Sequence, residues 1–194
     1  MYEMLAKRIT KYFISKKIIQ EDKREIYEYG YEIMISLVFY ILFLLFVAII
    51  FGLVIESIAF ILGFFLCRKI SGGYHSDTYL KCHILSIVNQ IIFIICLLLI
   101  PDEYRFITSL IVVMLSTIIL FVAAPIDHPN KRFSEKEHFR YKLLSRVFAI
   151  ILPVTLCIIY YTAPNSILSL SFYIGVFSAN ISLLYAYLKR RLPK

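Results

Sequence analysis

Charge is scarce in this sequence and uneven in sign: 18% of residues are Asp, Glu, Lys or Arg, with 13 acids against 21 bases. So small a polar share excludes an ordinary soluble domain. With 60% of 194 residues hydrophobic, a chain this short cannot hide its apolar side chains from water. Lipid must cover them. No apolar run begins before Ile33, and the charged stretch ahead of it argues against a cleavable signal peptide. The four cysteines (Cys67, Cys82, Cys96 and Cys157) lack the spacing of a disulfide framework, and all but Cys82 sit in or at the end of apolar segments. There is no Gly-x-Ser-x-Gly elbow, no HExxH motif, no paired CxxC and no dense Asp cluster. Those absences argue against a lipase-like hydrolase, a zinc protease and metal-assisted phosphotransfer. Neither an internal repeat nor a low-complexity linker is present.

What is there reads as an all-α integral membrane protein. A helix needs about 20 apolar residues to cross a bilayer. Six stretches qualify or come close: 33–51, 53–67, 84–100, 106–124, 147–161 and 167–188. Gly52 and Glu56 mark the turn between the first two, and Pro153 should kink the fifth. On this layout 20 of the 21 basic residues fall on one face and only Arg105 on the other. In a soluble protein the +8 excess would suggest nucleic acid. Here it fixes topology, with both termini in the cytoplasm, and no nucleic-acid partner is expected. One polytopic domain spans 1–194: a cytoplasmic or interfacial segment over 1–30, a six-helix core over 31–188 and a basic tail over 189–194. Met4, Leu5, Ile9, Tyr12 and Phe13 recur at helical spacing among lysines. That pattern suits an amphipathic helix lying in the membrane interface, or equally one packed on other spans.

The loop from Arg68 to His83 is where chemistry could reside. It follows a span of only about 22 Å, so its polar, Gly-containing backbone should sit at or inside the inner interface. Cys82 and His75 are the pair that thiol nucleophilic catalysis needs: an imidazole or a cationic setting turns a thiol into the thiolate. Arg68, Lys69 and Lys81 supply positive charge. Seven residues along one straight helix separate Cα atoms by about 10.5 Å, too far for a hydrogen bond. A catalytic pair therefore requires a break between 75 and 82, which Gly72-Gly73 permits. Spacing alone leaves an interfacial thiol beside a loop histidine as the plainer reading. A metal site from His75, Asp77, Cys82 and His83 lacks ligand spacing, so no metal or cofactor is expected.

Basic residues, then Gly72-Gly73-Tyr74-His75, then Cys82 seven positions on, resemble the accessory gene regulator B (AgrB) family. Chain length, the six-span layout and the second loop from Ala124 to Arg132 are similar to that family too, so the resemblance covers essentially the whole chain. It implies a membrane-embedded cysteine endopeptidase of Gram-positive quorum sensing, in the plasma membrane with its site on the cytoplasmic side. It implies His75 and Cys82 as the catalytic pair, with Arg68 and Gly73 in support. Asp77 has no clear family counterpart, so a dyad and a triad both stand. The implied substrate is an AgrD-like propeptide, whose tail is cut through a thioester to Cys82 before the peptide closes a thiolactone or lactone ring. The family's precursors end in an acidic tail, which Lys131, Arg132, Lys136 and Arg140 could hold. For any single lysine there, topology and anionic lipid contact are the plainer explanation. Membrane lipids and a homodimer complete the implied partners.

A transporter or scaffold with a basic, ligand-binding inner face is the rival class. Against it, Glu56 is the one charge within a span, whereas transport paths carry intramembrane ionisable groups. Asn89, Gln90, Ser178, Asn180 and Ser182 are expected to bond between helices.

Overall fold

A computed structural model describes residues 2–73, 79–127 and 133–191, and for Tyr79, Leu80, Cys82 and His83 the backbone alone. The described elements are helical: α1 (Tyr2–Ser15), α2 (Arg24–Ile50), α3 (Val54–Ser71), α4 (Tyr79–Leu99), α5 (Arg105–Ala123), α6 (Glu135–Thr162) and α7 (Ile167–Arg191). One-turn 3-10 helices at Glu21–Lys23 and Asp102–Tyr104 lead into α2 and α5. Contacts divide the chain into two compact units, residues 1–50 and 51–194.

Burial runs opposite to that of a water-soluble fold. On α5, Ser109, Ser116, Val113 and Leu120 are buried, while Ile107, Ile111, Met114, Ile118 and Val122 are exposed. Large apolar side chains that face outward along a whole helix can only be solvated by lipid. This is an all-α membrane protein. By length and composition four segments can cross a bilayer: Glu21–Ile50, Asp102–Ala123, Glu135–Thr162 and Ile167–Arg191.

In the first unit α1 packs against α2. Tyr2 lies against Phe39, and Phe13 stacks on Tyr31 with ring centroids 6.0 Å apart. The buried face of α1 is Ala6 and Thr10, whereas Met4 and Tyr12 turn outward. Helix-on-helix packing is thus present. The outward Met4 and Tyr12 leave an apolar fringe beside Lys7, Lys11 and Lys16.

The second unit is built on α3 and α7, which run in the same direction. A Cβ on Gly63 would sit 2.2 Å from the Phe172 carbonyl oxygen, and one on Gly175 would sit 2.1 Å from that of Phe60. The two glycines let the backbones touch, which is how helices associate where lipid removes any hydrophobic drive. Gly175→Leu should therefore wedge α3 from α7 and cost about 3 kcal/mol. Thermal unfolding in detergent would read this as a lower midpoint, with Gly30→Leu, where a Cβ meets nothing within 4 Å, as the near-neutral control. α4 joins through polar contacts: the Ser178 hydroxyl donates to Asn89 Oδ1 at 2.6 Å, and Gln90 Nε2 donates to Ser57 Oγ at 2.9 Å. These residues bond between helices, as expected.

Candidate functional site

The last turn of α3 sets the site. Gly72 N–H closes the helix on the Arg68 carbonyl at 3.0 Å, and the chain then leaves through two glycines with φ of +79° and +143°. Side-chain-bearing residues rarely adopt such values. The departing strand pairs at once with the segment after α5: Ile126 N–H donates to the Ser71 carbonyl at 3.0 Å, and Gly72 and Ile126 form a parallel bridge. A Cβ at Gly72 would lie 2.0 Å from the Ile126 oxygen, so the pairing requires glycine there.

Arg68 lies beneath this turn. Its Nη1 donates to Ser182 Oγ on α7 at 2.9 Å. The same nitrogen is 3.2 Å from where a Cβ of Gly73 would stand, with Ser182 Oγ at 3.3 Å. One layer deeper, Cys67 Sγ donates to Asn180 Oδ1 at 3.5 Å and lies 3.8 Å from Ser71 Oγ. From α6, the Ser145 hydroxyl lies 2.8 Å from the Tyr141 carbonyl and 3.4 Å from that of Ile70. Two helices, α6 and α7, and the segment after α5 therefore hold the end of α3.

The loop after α5 is anchored separately. Asp127 pairs with Arg190 near the end of α7, Nη1 to Oδ1 at 2.7 Å, and Arg190 also donates to the Asp127 carbonyl. Burial pushes the Asp127 carboxyl up. The Arg190 hydrogen bond and charge, with backbone N–H groups of Asp127 and Phe133, outweigh that and hold it below its ordinary 3.8. A carboxyl lowered on folding adds stability that is present above its unfolded pKa and is lost as pH falls through the folded one. Acidifying from pH 5 to pH 2 should therefore lower the melting midpoint, and Arg190→Gln should flatten that acid limb by lowering the neutral midpoint toward the acid one. Arg190 is half exposed, so the effect is modest.

Of the residues singled out from sequence, Arg68 and Gly73 are brought together. His75, Asp77, Lys131 and Arg132 lie outside the described residues. Cys82 is described by its backbone, as the fourth residue of α4. Lys136 and Arg140 stand exposed on the first turns of α6. Arg146, counted with the same basic loop, is half buried instead: it donates to the Leu120 carbonyl, and its Cζ lies 4.8 Å above the Phe121 ring. Sequence reading did not single out Ile126 for this site, and treated Ser182 as a helix-bonding serine without linking it to Arg68.

The accessory gene regulator B family model matches residues 6–184. This chain belongs to the AgrB family. An AgrB-like protein of Clostridium perfringens strain SM101 is 27% identical over 201 residues, covering 95% of this chain and 92% of its own length. A second AgrB-like protein, from C. perfringens strain 13, is 27% identical over 152 residues, covering 73% of this chain and 69% of its own. No solved structure matches. As an AgrB family member the chain is a membrane protein of accessory-gene-regulator quorum sensing, a family linked to peptide processing and to an AgrD-type propeptide.

Proposed function

We propose that this AgrB-family chain is a cysteine endopeptidase of the Gram-positive cell membrane that removes the C-terminal tail of an AgrD-like propeptide at the cytoplasmic face. In this reading α2 to α7 are the six spans, with both termini inside. Cys82 is the nucleophile and His75 the general base; Asp77 is available to orient His75. His75 takes the Cys82 thiol proton, and the thiolate attacks the carbonyl carbon ahead of the tail. The peptide C–N bond breaks, the imidazolium returns its proton to the leaving amine, and the upstream peptide is held as a thioester. A Cys thiol or Ser hydroxyl of the same peptide then attacks that thioester. Its proton passes to the departing Cys82 sulfur, closing a thiolactone or lactone ring. A membrane-boundary site that excludes water favours ring closure over hydrolysis.

The Gly72–Ile126 bridge carries this reading. It ties Gly72, three residues ahead of His75 in sequence, to Ile126, five ahead of Lys131, which supports a reading in which one site has both a reacting loop and a basic loop. Lys136 and Arg140 extend the basic surface onto exposed turns of α6. An acidic tail held by that surface would present the bond before it to Cys82. A tagged precursor co-expressed with the chain should lose its tail in the wild type and stay intact with Cys82→Ala or His75→Ala. Tail removal by the double variant would overturn the assignment.

A further inference from the structure

The Arg68–Ser182 contact bears on how the thiol at position 82 is activated, an inference that rests on the cysteine endopeptidase reading. The level of Cys82 follows from the two helices next to it. Ser57 and Phe60 of α3 meet Gln90 and Phe93 of α4, through the 2.9 Å hydrogen bond and a ring stack at 4.3 Å. α3 ends at Ser71 and α4 starts eight residues later at Tyr79, too short a connection to return along the helix, so the two run in opposite directions. Arg68 lies 11 residues along α3 from Ser57 and eight from Phe60; the same counts back along α4 from their partners Gln90 and Phe93 reach Tyr79 and Leu85, with Cys82 midway. Both counts run toward the same end of the two helices. The backbone positions of Arg68 and Cys82 therefore lie within about one helical turn of a common level.

We propose that Ser182, on α7, is a positioning residue that holds the Arg68 guanidinium near the level of Cys82, where its charge stabilises the thiolate. Three observations converge on it: the 2.9 Å bond from Arg68 Nη1, the packing of that nitrogen beneath Gly73, and the nearness in level of positions 68 and 82. A guanidinium stays charged at every pH the enzyme meets, so its position is what matters. Arg68 also lies over the Phe64 ring, with Cζ 5.8 Å from its centroid; an arginine that loses one of its anchors samples more positions and stabilises the sulfur less. Among the described residues the other ionisable groups at this end include Lys69 on α3, Lys81 on α4 and Tyr185 on α7, with His83 described by its backbone; the sequence adds His75 and Asp77 between α3 and α4. Exchanging a neutral hydroxyl alters none of their charges.

The test is the pH dependence of Cys82 alkylation by iodoacetamide in the full-length protein in lipid nanodiscs. Peptide mass spectrometry separates label on Cys82 from label on Cys67, Cys96 and Cys157. Ser182→Ala should move the alkylation profile about half a pH unit upward and slow precursor cleavage about threefold at neutral pH, while Ser182→Thr, which keeps the hydroxyl, should restore both. Should the alanine variant insert poorly, Ser182→Asp gives a second reading: its carboxylate draws off the guanidinium charge and should raise the profile further. An unmoved profile in correctly inserted Ser182→Ala or Ser182→Asp protein overturns the positioning role. Cleavage by Cys82→Ala at the wild-type rate would instead overturn the endopeptidase reading, so the two failures are distinguishable.

Discussion

Cys82→Ser should lower precursor cleavage by about three orders of magnitude or more while leaving expression and membrane insertion intact. Serine keeps the shape and a hydrogen-bonding proton, so helix α4, which carries position 82 in its first turn, has no structural reason to fail. What is lost is ionisation. A thiol near a cation and an imidazole can be thiolate at neutral pH, whereas a hydroxyl requires full general-base removal of its proton during attack. Losses from removing a nucleophile reach about 10⁶-fold in a comparable serine enzyme, so 10³ is a conservative floor. Any acyl group formed would be an oxygen ester, which a peptide thiol or hydroxyl displaces less readily than a thioester. Residual product should therefore accumulate as uncyclised acyl-enzyme rather than as ring. Mass analysis of the peptide products separates these outcomes.

Gly72→Ala should be nearly as damaging by a different route. Its backbone sits at φ +79°, and its new methyl would stand 2.0 Å from the Ile126 carbonyl oxygen, a distance no real Cβ tolerates. Either the helix end or the loop after α5 must move, and the Gly72–Ile126 bridge opens. Cleavage should fall about 100-fold, since a displacement of about 1 Å at a positioning element costs that much. Comparison with two other glycines isolates the cause. Gly73→Ala meets side-chain atoms at 3.2 and 3.3 Å, which can yield, and should cost less. Gly52→Ala shares the left-handed backbone, φ +67°, but opens into free space. It should lower stability by about 1 kcal/mol through backbone strain alone and leave cleavage per folded molecule unchanged. Equal activity loss at 52 and 72 would contradict the bridge as the critical feature.

Much of the architecture was legible because hydropathy reports which residues meet lipid. The six apolar runs each correspond to one of the helices α2 to α7, and Gly52 does stand in the turn between the first two. Helix ends were not legible from apolar runs, since a helix continues into water wherever its polar face and caps permit. α2 extends back to Arg24 over Glu25, Glu28 and Glu32, where α1 packs against it. α6 starts at Glu135, twelve residues ahead of the apolar run. Ser134 and Glu137 form a reciprocal capping box there, and Ser-x-x-Glu was a signal in plain view.

The site was legible in part. Gly72-Gly73 marked a turn, and both glycines have the positive φ that makes them necessary. The bridge to Ile126 joins positions 54 apart, and the Arg68–Ser182 bond joins positions 114 apart. No local pattern encodes such pairs; only the close approach of α3 and α7 at Gly63 and Gly175 creates the second. Arg146 illustrates the converse. It belongs by sequence to the same basic stretch as Lys136 and Arg140, yet it donates to the Leu120 carbonyl near the end of α5, which also accepts the capping N–H of Ala124. The basic surface left for a peptide among the described residues is correspondingly narrower, centred on Lys136 and Arg140.

Trapping the acyl-enzyme tests the account at its centre. A precursor whose ring-forming Cys or Ser is replaced by Ala cannot discharge the thioester by cyclisation, so the intermediate should build up when it is mixed with the wild-type chain in nanodiscs. Intact-mass analysis should show the chain heavier by the tail-less peptide, with the adduct on Cys82, removed by hydroxylamine and absent from His75→Ala. Tail release with no covalent adduct, or with the adduct on Cys67 or another residue, would contradict it.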